Sequence, residues 1–125
     1  MYLVDTNILI YHFNGSIPDM AKDRLDLIFQ EQFNISVVTK MEFLGFRRHT
    51  DESYHKAVQF LSFANCIGVN EQVVEKVVEL RRTFPVKLPD AIIAATAIVG
   101  KLCLVTRNAS DFVGMDVAIF NPFDV

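Results

Sequence analysis

At 125 residues, 51% of them apolar and eleven of them phenylalanine, the chain is long enough for one domain with a real core and too short for two. A net charge of −3 and a pI near 5.5 argue against binding nucleic acid through bulk positive charge, while leaving room for an enzyme with a local basic rim. Cys66 and Cys103 stand far apart, with no CxxC and no nearby metal-type His, which argues against a disulfide framework or a zinc site; both lie in apolar runs and are expected as reduced core residues.

Residues 1–125 read as a single alternation of short strands and longer helices. Tyr2 to Val4 is a short apolar run that ends at Asp5. No basic n-region precedes it, and Asp5 interrupts it, so a secretory signal is not expected. Ile8, Leu9, Tyr11 and His12 suggest a short helix. Pro18 begins a second, since Pro suits a first turn, with Met20, Leu25, Ile28 and Phe29 near helical spacing. Ile35 to Val38 is β-branched and short, the mark of a buried strand. Thr39 can cap the next helix, which carries Met41, Phe43 and Leu44. Asp51 to Phe63 is helical, with Ala57, Phe60, Leu61 and Ala64 on one face. Ile67 to Val69 suggests a strand. Asn70 then caps a helix expected to turn Val73, Val74, Val77, Val78 and Leu80 inward, ended by Phe84-Pro85. Pro89 opens a further helix through Val99, stopped by Gly100. Leu102 to Val105 and Val117 to Phe120 are the last two strands. Ala91 to Val99 is apolar nearly all round and is expected to be buried. It falls far short of the ~20 apolar residues of a membrane span, so a cytosolic protein is expected. Alternating strands and helices predict an α/β fold, a parallel sheet covered on both faces.

The carboxylates fall in a pattern on that frame. Ligands of open α/β sheets collect at the carboxyl ends of the strands. Asp5 ends the first strand, Glu42 lies in the first turn after the Ile35–Val38 strand, and Asp111 follows the Leu102–Val105 strand by a short loop. Asp90 opens the buried helix. Each acid also has a structural reading. Asp5 could cap the helix after it, Asp90 suits a helix dipole, and Asp111 suits an Asx-turn. Thr39-Lys40-Met41-Glu42 fits a capping box, and for Glu42 taken alone that reading is the stronger. Those readings leave unexplained why Asp5 is flanked by Leu3, Val4, Ile8 and Leu9, and why Asp90 leads into the most apolar helix. An unpaired buried charge is costly, and clustered carboxylates repel unless a cation intervenes. Oxygen donors without His or Cys point to a hard ion, magnesium or manganese.

Asp5-Thr6-Asn7, Glu42, the block Lys87-Leu88-Pro89-Asp90-Ala91-Ile92-Ile93-Ala94-Ala95-Thr96-Ala97, and Thr106-Arg107-Asn108 followed by Asp111-Phe112 together resemble a PIN domain. The resemblance spans essentially the whole chain and is strongest to VapC-type toxins of toxin–antitoxin pairs. It implies a three-layer α/β/α fold with a central, mostly parallel sheet. It also implies a metal-dependent endoribonuclease in which Asp5 and Asp90 are the main metal ligands and Glu42 and Asp111 complete an acidic quartet, Asp111 on the metal. Asn7 and Thr106 would support by hydrogen bonding. Asn108 stands where some relatives carry an acid, which favours one ion over two. A homodimer and a VapB-like antitoxin are further implications. RNA phosphates need positive contacts, for which Lys87, Arg107, Arg82, Arg47 and Arg48 are the candidates; Lys87 and Arg107 neighbour proposed site residues. A signalling receiver domain, also small, doubly wound and magnesium-binding, fits less well, because Val37-Val38-Thr39 stands where a phosphate-accepting Asp would be needed. A PIN fold that only binds a partner is the third reading, against which the presence of all four acids argues.

Overall fold

Each strand of this protein is only two or three residues long, so the sheet depends on helices to cover it. The structure, a computed structural model, describes residues 1–124. In chain order the elements are β1 (Tyr2–Val4), α1 (Thr6–Phe13), α2 (Asp19–Glu31), β2 (Asn34–Ser36), α3 (Val37–Leu44), α4 (Asp51–Leu61), β3 (Asn65–Ile67), α5 (Glu71–Thr83), α6 (Leu88–Gly100), β4 (Cys103–Val105) and β5 (Ile119–Phe120). A short 3-10 helix, Ala109–Phe112, lies between β4 and β5. The five strands form one sheet in the order β3-β2-β1-β4-β5, and every pair is parallel. The fold is the expected α/β, with a sheet that is wholly rather than mostly parallel.

Side chains alternate across a strand, and the two sides feed two cores. Leu3 of β1 and Leu104 of β4 face a core built with Val73, Val77 and Leu80 of α5 and the alanines of α6. Val4 and Val105 face the opposite core, with Ile8 and Leu9 of α1, Leu25 and Ile28 of α2, and Ala57 and Leu61 of α4. Phe29, Phe33 and Phe60 pack edge-on or tilted within that second layer. Helix α6 buries Ala91, Ile93, Ala94, Ala95, Thr96 and Ala97, as its all-round apolar pattern requires.

Several expectations fail at element ends and faces. The second strand stops at Ser36, whose hydroxyl accepts from the Val38 N–H and caps α3. Val37 and Val38 are therefore helical despite their β-branched side chains, because a Ser cap satisfies a free N–H of the first turn. Thr39 is no cap and makes no capping box with Glu42; it sits inside α3, fully buried, and Glu42 falls in the second turn rather than the first. β3 lies at Asn65–Ile67 rather than Ile67–Val69, and β5 keeps only Ile119 and Phe120. Lys101, in a left-handed conformation (φ 54°), ends α6 in place of Gly100, the helix's last residue. Met20 (78% exposed), Met41, Val74 and Val78 point to solvent. Cys66 is exposed, not a core residue, and Cys103 is half-buried; neither is in a disulfide.

Candidate active site

The chain builds the sheet outward from β1, first to β2 and β3 on one side and then to β4 and β5 on the other. The strand order thus reverses between β1 and β4, and the carboxyl ends of strands at such a reversal are where ligands of open α/β sheets collect. Asp5 follows β1 there, and Thr106 follows β4. The ladder itself fixes both. The Asp5 N–H donates to the Val105 carbonyl at 2.9 Å, and the Thr106 N–H donates to the Phe120 carbonyl at 3.1 Å.

Asp5 is 5% exposed, and every contact it makes holds it in place. Its Oδ1 accepts from the Thr6 N–H at 2.7 Å, as the cap of α1. Its Oδ2 accepts from the Thr106 hydroxyl at 2.8 Å and from the Asn7 amide at 3.0 Å. The Asn7 Nδ2 also reaches Thr106 Oγ1 at 3.3 Å, and its Oδ1 accepts from the Arg107 N–H at 3.1 Å. The Asn108 N–H donates to Thr106 Oγ1 at 3.1 Å, so Asn108 contributes its backbone here. A second branch leaves through Thr6, whose hydroxyl contacts Glu42 Oε1 at 2.7 Å and Thr39 Oγ1 at 3.2 Å. Neither Thr6 nor Thr39 stands out as a site residue in the sequence. The one available signal was that Thr6 is the middle residue of the Asp5-Thr6-Asn7 run.

The charges converge as well. Burial pushes the Asp5 carboxyl up to about 6; Thr106 and the Thr6 N–H oppose this, and the negative charges of Asp90 and Glu42 add to it. Burial also raises Asp90, with Asp111 and Glu42 adding to the rise and Lys87 opposing it. Asp5 and Asp90 are thus the two acids on which the surrounding negative charge acts. Asp90 enters from the first turn of α6, where Pro89 sits at the start of the helix, and Asp111 from the 3-10 helix. Asp90 is half-buried, while Glu42 and Asp111 are exposed.

Among the described residues, no three His, Cys, Asp or Glu side chains are gathered tightly enough to wrap an ion by themselves. The donor set is all oxygen, and Asp5 is a buried carboxylate with like charges around it and no cationic partner. That suits an ion held by one or two carboxylates that keeps water in its other positions, the usual habit of magnesium. Asp5 and Asp90 would hold it.

The basic candidates separate. Lys87 stands at the N-cap position of α6, where its charge acts on Asp90. Arg107 follows Thr106, with its guanidinium stacked over Tyr11 (4.9 Å) and Phe123 (4.5 Å). Arg82 lies in the last turn of α5, where a cation suits the helix dipole. Arg48 lines a different cleft, with Phe13, Phe43 and His49, and Arg47 is exposed beside it. No contact ties Arg47, Arg48 or Arg82 to the acids. His49 is held between the Ser53 hydroxyl and the Phe43 carbonyl, both at 2.9 Å.

The PIN domain family model matches residues 2–116. A toxin–antitoxin complex from Klebsiella pneumoniae contains a chain 37% identical to this one, aligned over 100% of both chains with a TM-score of 0.79. VapBC2 from Rickettsia felis, solved with a DNA fragment from its promoter, is 25% identical over 96% of this chain and 97% of that one, with a TM-score of 0.79. FitAcB from Neisseria gonorrhoeae shares the fold at a TM-score of 0.85, with 23% identity and 100% of both chains covered. No curated protein matches at the sequence level.

Proposed function

We propose that this chain, which belongs to the PIN domain family, is a magnesium-dependent endoribonuclease that hydrolyses RNA phosphodiester bonds, and is the toxin of a pair completed by a VapB-like antitoxin. The observation that carries the nuclease reading is the buried carboxylate of Asp5, raised to about 6, with the charges of Asp90 and Glu42 acting on it and that of Asp111 acting on Asp90. The toxin reading rests on likeness to the Klebsiella pneumoniae chain, which comes from a toxin–antitoxin complex. A cytosolic homodimer is the form this reading takes. Manganese, equally an oxygen-seeking ion, could replace magnesium.

A divalent ion bound there supplies charge neutralisation at the phosphate and acidifies water. The protein's part is placement. Thr106, Asn7 and the Thr6 N–H hold Asp5 by three hydrogen bonds, so its oxygens do not reorganise when substrate arrives. Glu42 is tethered through Oε1 to Thr6, which leaves Oε2 to orient a water or take its proton. Asp111, exposed in the 3-10 helix after β4, can do the same. Lys87 and Arg107 offer positive charge to the phosphates flanking the one cut.

Asp5→Asn and Asp90→Asn each test this. RNA cleavage in magnesium should fall about a thousandfold, the equivalent of ~4 kcal/mol of transition-state stabilisation, while circular dichroism shows a folded chain. Chelation should silence the natural protein. Cleavage at the natural rate in both variants would remove the proposal. The toxin part is checked separately by expressing the chain in growing bacteria: arrest should follow, and should be absent with Asp90→Asn.

A further inference from the structure

The link between α5 and α6 and the loop after β4 face each other across a cleft of about 390 Å³. Asp90 and Asp111 stand on its wall, so it opens directly onto the acid site. Its other walls are different in kind. Phe84, Pro85 and Val86 line one side, Val113 and Met115 the other, with Lys87 and Ser110 among them. The sequence fixes this wall. Phe84 leaves α5 in an extended conformation (φ −124°, ψ 149°), as a residue before proline does. Opposite it, Gly114 turns at φ +84°, and a Cβ there would stand 3.1 Å from Phe84 Cε1. Any larger residue would strain the turn and push the ring. The aromatic wall is therefore held by close contact with the loop that carries Asp111.

We infer that this cleft receives the base of an unpaired nucleotide adjoining the phosphate that is cut, with Phe84 as its stacking surface and Lys87 beside the neighbouring phosphate. The inference rests on the nuclease reading and names the substrate feature that reading leaves open. A cleft with an aromatic and aliphatic wall, one cation and an acidic end fits a group that is flat and apolar on its faces and joined to a phosphate. A base paired in a helix has both faces stacked and cannot turn one to Phe84, whereas a base in a loop or single strand can. Stacking on one ring is indifferent to base identity, so Phe84 selects for an unpaired base rather than for a sequence. In this scheme Phe84 and Gly114 have no part in the chemistry.

The test is binding, read without cleavage. The natural chain, in magnesium, is titrated with each of the four ribonucleoside 5′-monophosphates and with ribose 5-phosphate, following the methyl NMR signals of Val86, Val113 and Met115. Ribose 5-phosphate carries the same sugar and phosphate, so any gain belongs to the base. All four nucleotides should bind more tightly than ribose 5-phosphate, by about tenfold, within the range of a single stacked base, and should shift those methyls. Phe84→Leu keeps apolar bulk but removes the ring face, and should erase the advantage; Phe84→Tyr should restore it. The inference fails if any of the four binds no better than ribose 5-phosphate, or if the advantage survives in Phe84→Leu. A chain that shows base-dependent binding at these methyls but cuts no RNA keeps this subsite and loses the nuclease reading. One that cuts RNA without base-dependent binding does the reverse.

Discussion

Asp5 holds its proton differently folded and unfolded, and that sets a pH dependence with a definite sign. In the folded chain its carboxyl loses the proton near 6, against an ordinary 3.8. Between those values the folded state binds more protons than the unfolded state, so stability falls as pH rises. The contribution is fully present below about pH 4 and is lost by about pH 7, and amounts to about 3 kcal/mol. Asp90, also raised, acts in the same direction. Asp5→Asn cannot titrate. Without divalent ions, the variant's stability relative to the natural chain should therefore rise steadily from pH 4 to pH 7. Urea melts across that range check it, and a constant difference would mean that Asp5 is charged at no cost. Thr106→Val probes the same carboxylate from its partner's side. The hydroxyl favours the charged form, so its loss raises Asp5 further and should move the acid limb of the pH–rate profile to higher pH. It should also cost ~1–3 kcal/mol of stability, as losing a buried hydrogen-bond partner does. The burial of Asp5 and the half-burial of Asp90 were legible because an acid amid apolar neighbours is conspicuous in a sequence. The Thr6–Glu42 bond was not, since it joins residues 36 apart and only the folded chain brings them together.

At the level of elements, the informative failure is the start of α3. Three β-branched residues, Ile35, Val37 and Val38, argue for a strand by propensity, yet the chain turns helical at Val37. A cap is a single contact with a defined geometry, and one Ser hydroxyl outweighs two weak propensities. This has a consequence for the site. Moving the helix start back by three residues from a Thr39 cap buries Thr39 and places Glu42 a turn further along, in reach of Thr6. Ser36→Ala should therefore cost ~1 kcal/mol, lowering the melting temperature by a few degrees, and should also reduce cleavage by loosening Glu42. A stability loss with unchanged cleavage would separate the cap from the site. The inward positions expected on α5 fail for a different reason. Val73, Val74, Val77 and Val78 all suit an inward position by hydropathy, but a helix packed on one side buries only one stripe, and Val74 and Val78 fall outside it. Helix α6 was legible because six buried residues in its middle leave no polar face to misplace.

Across the molecule, alternation of strands and helices foretold the α/β class, while the strand order did not follow from it, because hydrophobic period says which face is buried and not which strand is the neighbour. That order puts Asp5 and Thr106 side by side: with β1 between β2 and β4, the two leave neighbouring strands at the same edge, and the charges of Glu42 and Asp90 act on Asp5 there. Folding thereby gathers negative charge that the unfolded chain keeps dispersed, and an ion binding only the folded state should stabilise it by mass action. At a hundred times its dissociation constant, magnesium should add ~2.7 kcal/mol, seen as a higher melting temperature. Proton and ion compete for the Asp5 oxygens. The gain should therefore be large at pH 7.5, small at pH 5, where Asp5 is mostly protonated, and largely absent in Asp5→Asn at either pH. The same gain in all of these melts would place the ion elsewhere on the surface. A gain confined to the natural chain at the higher pH ties the ion, the buried carboxylate and the reversal in strand order to one equilibrium.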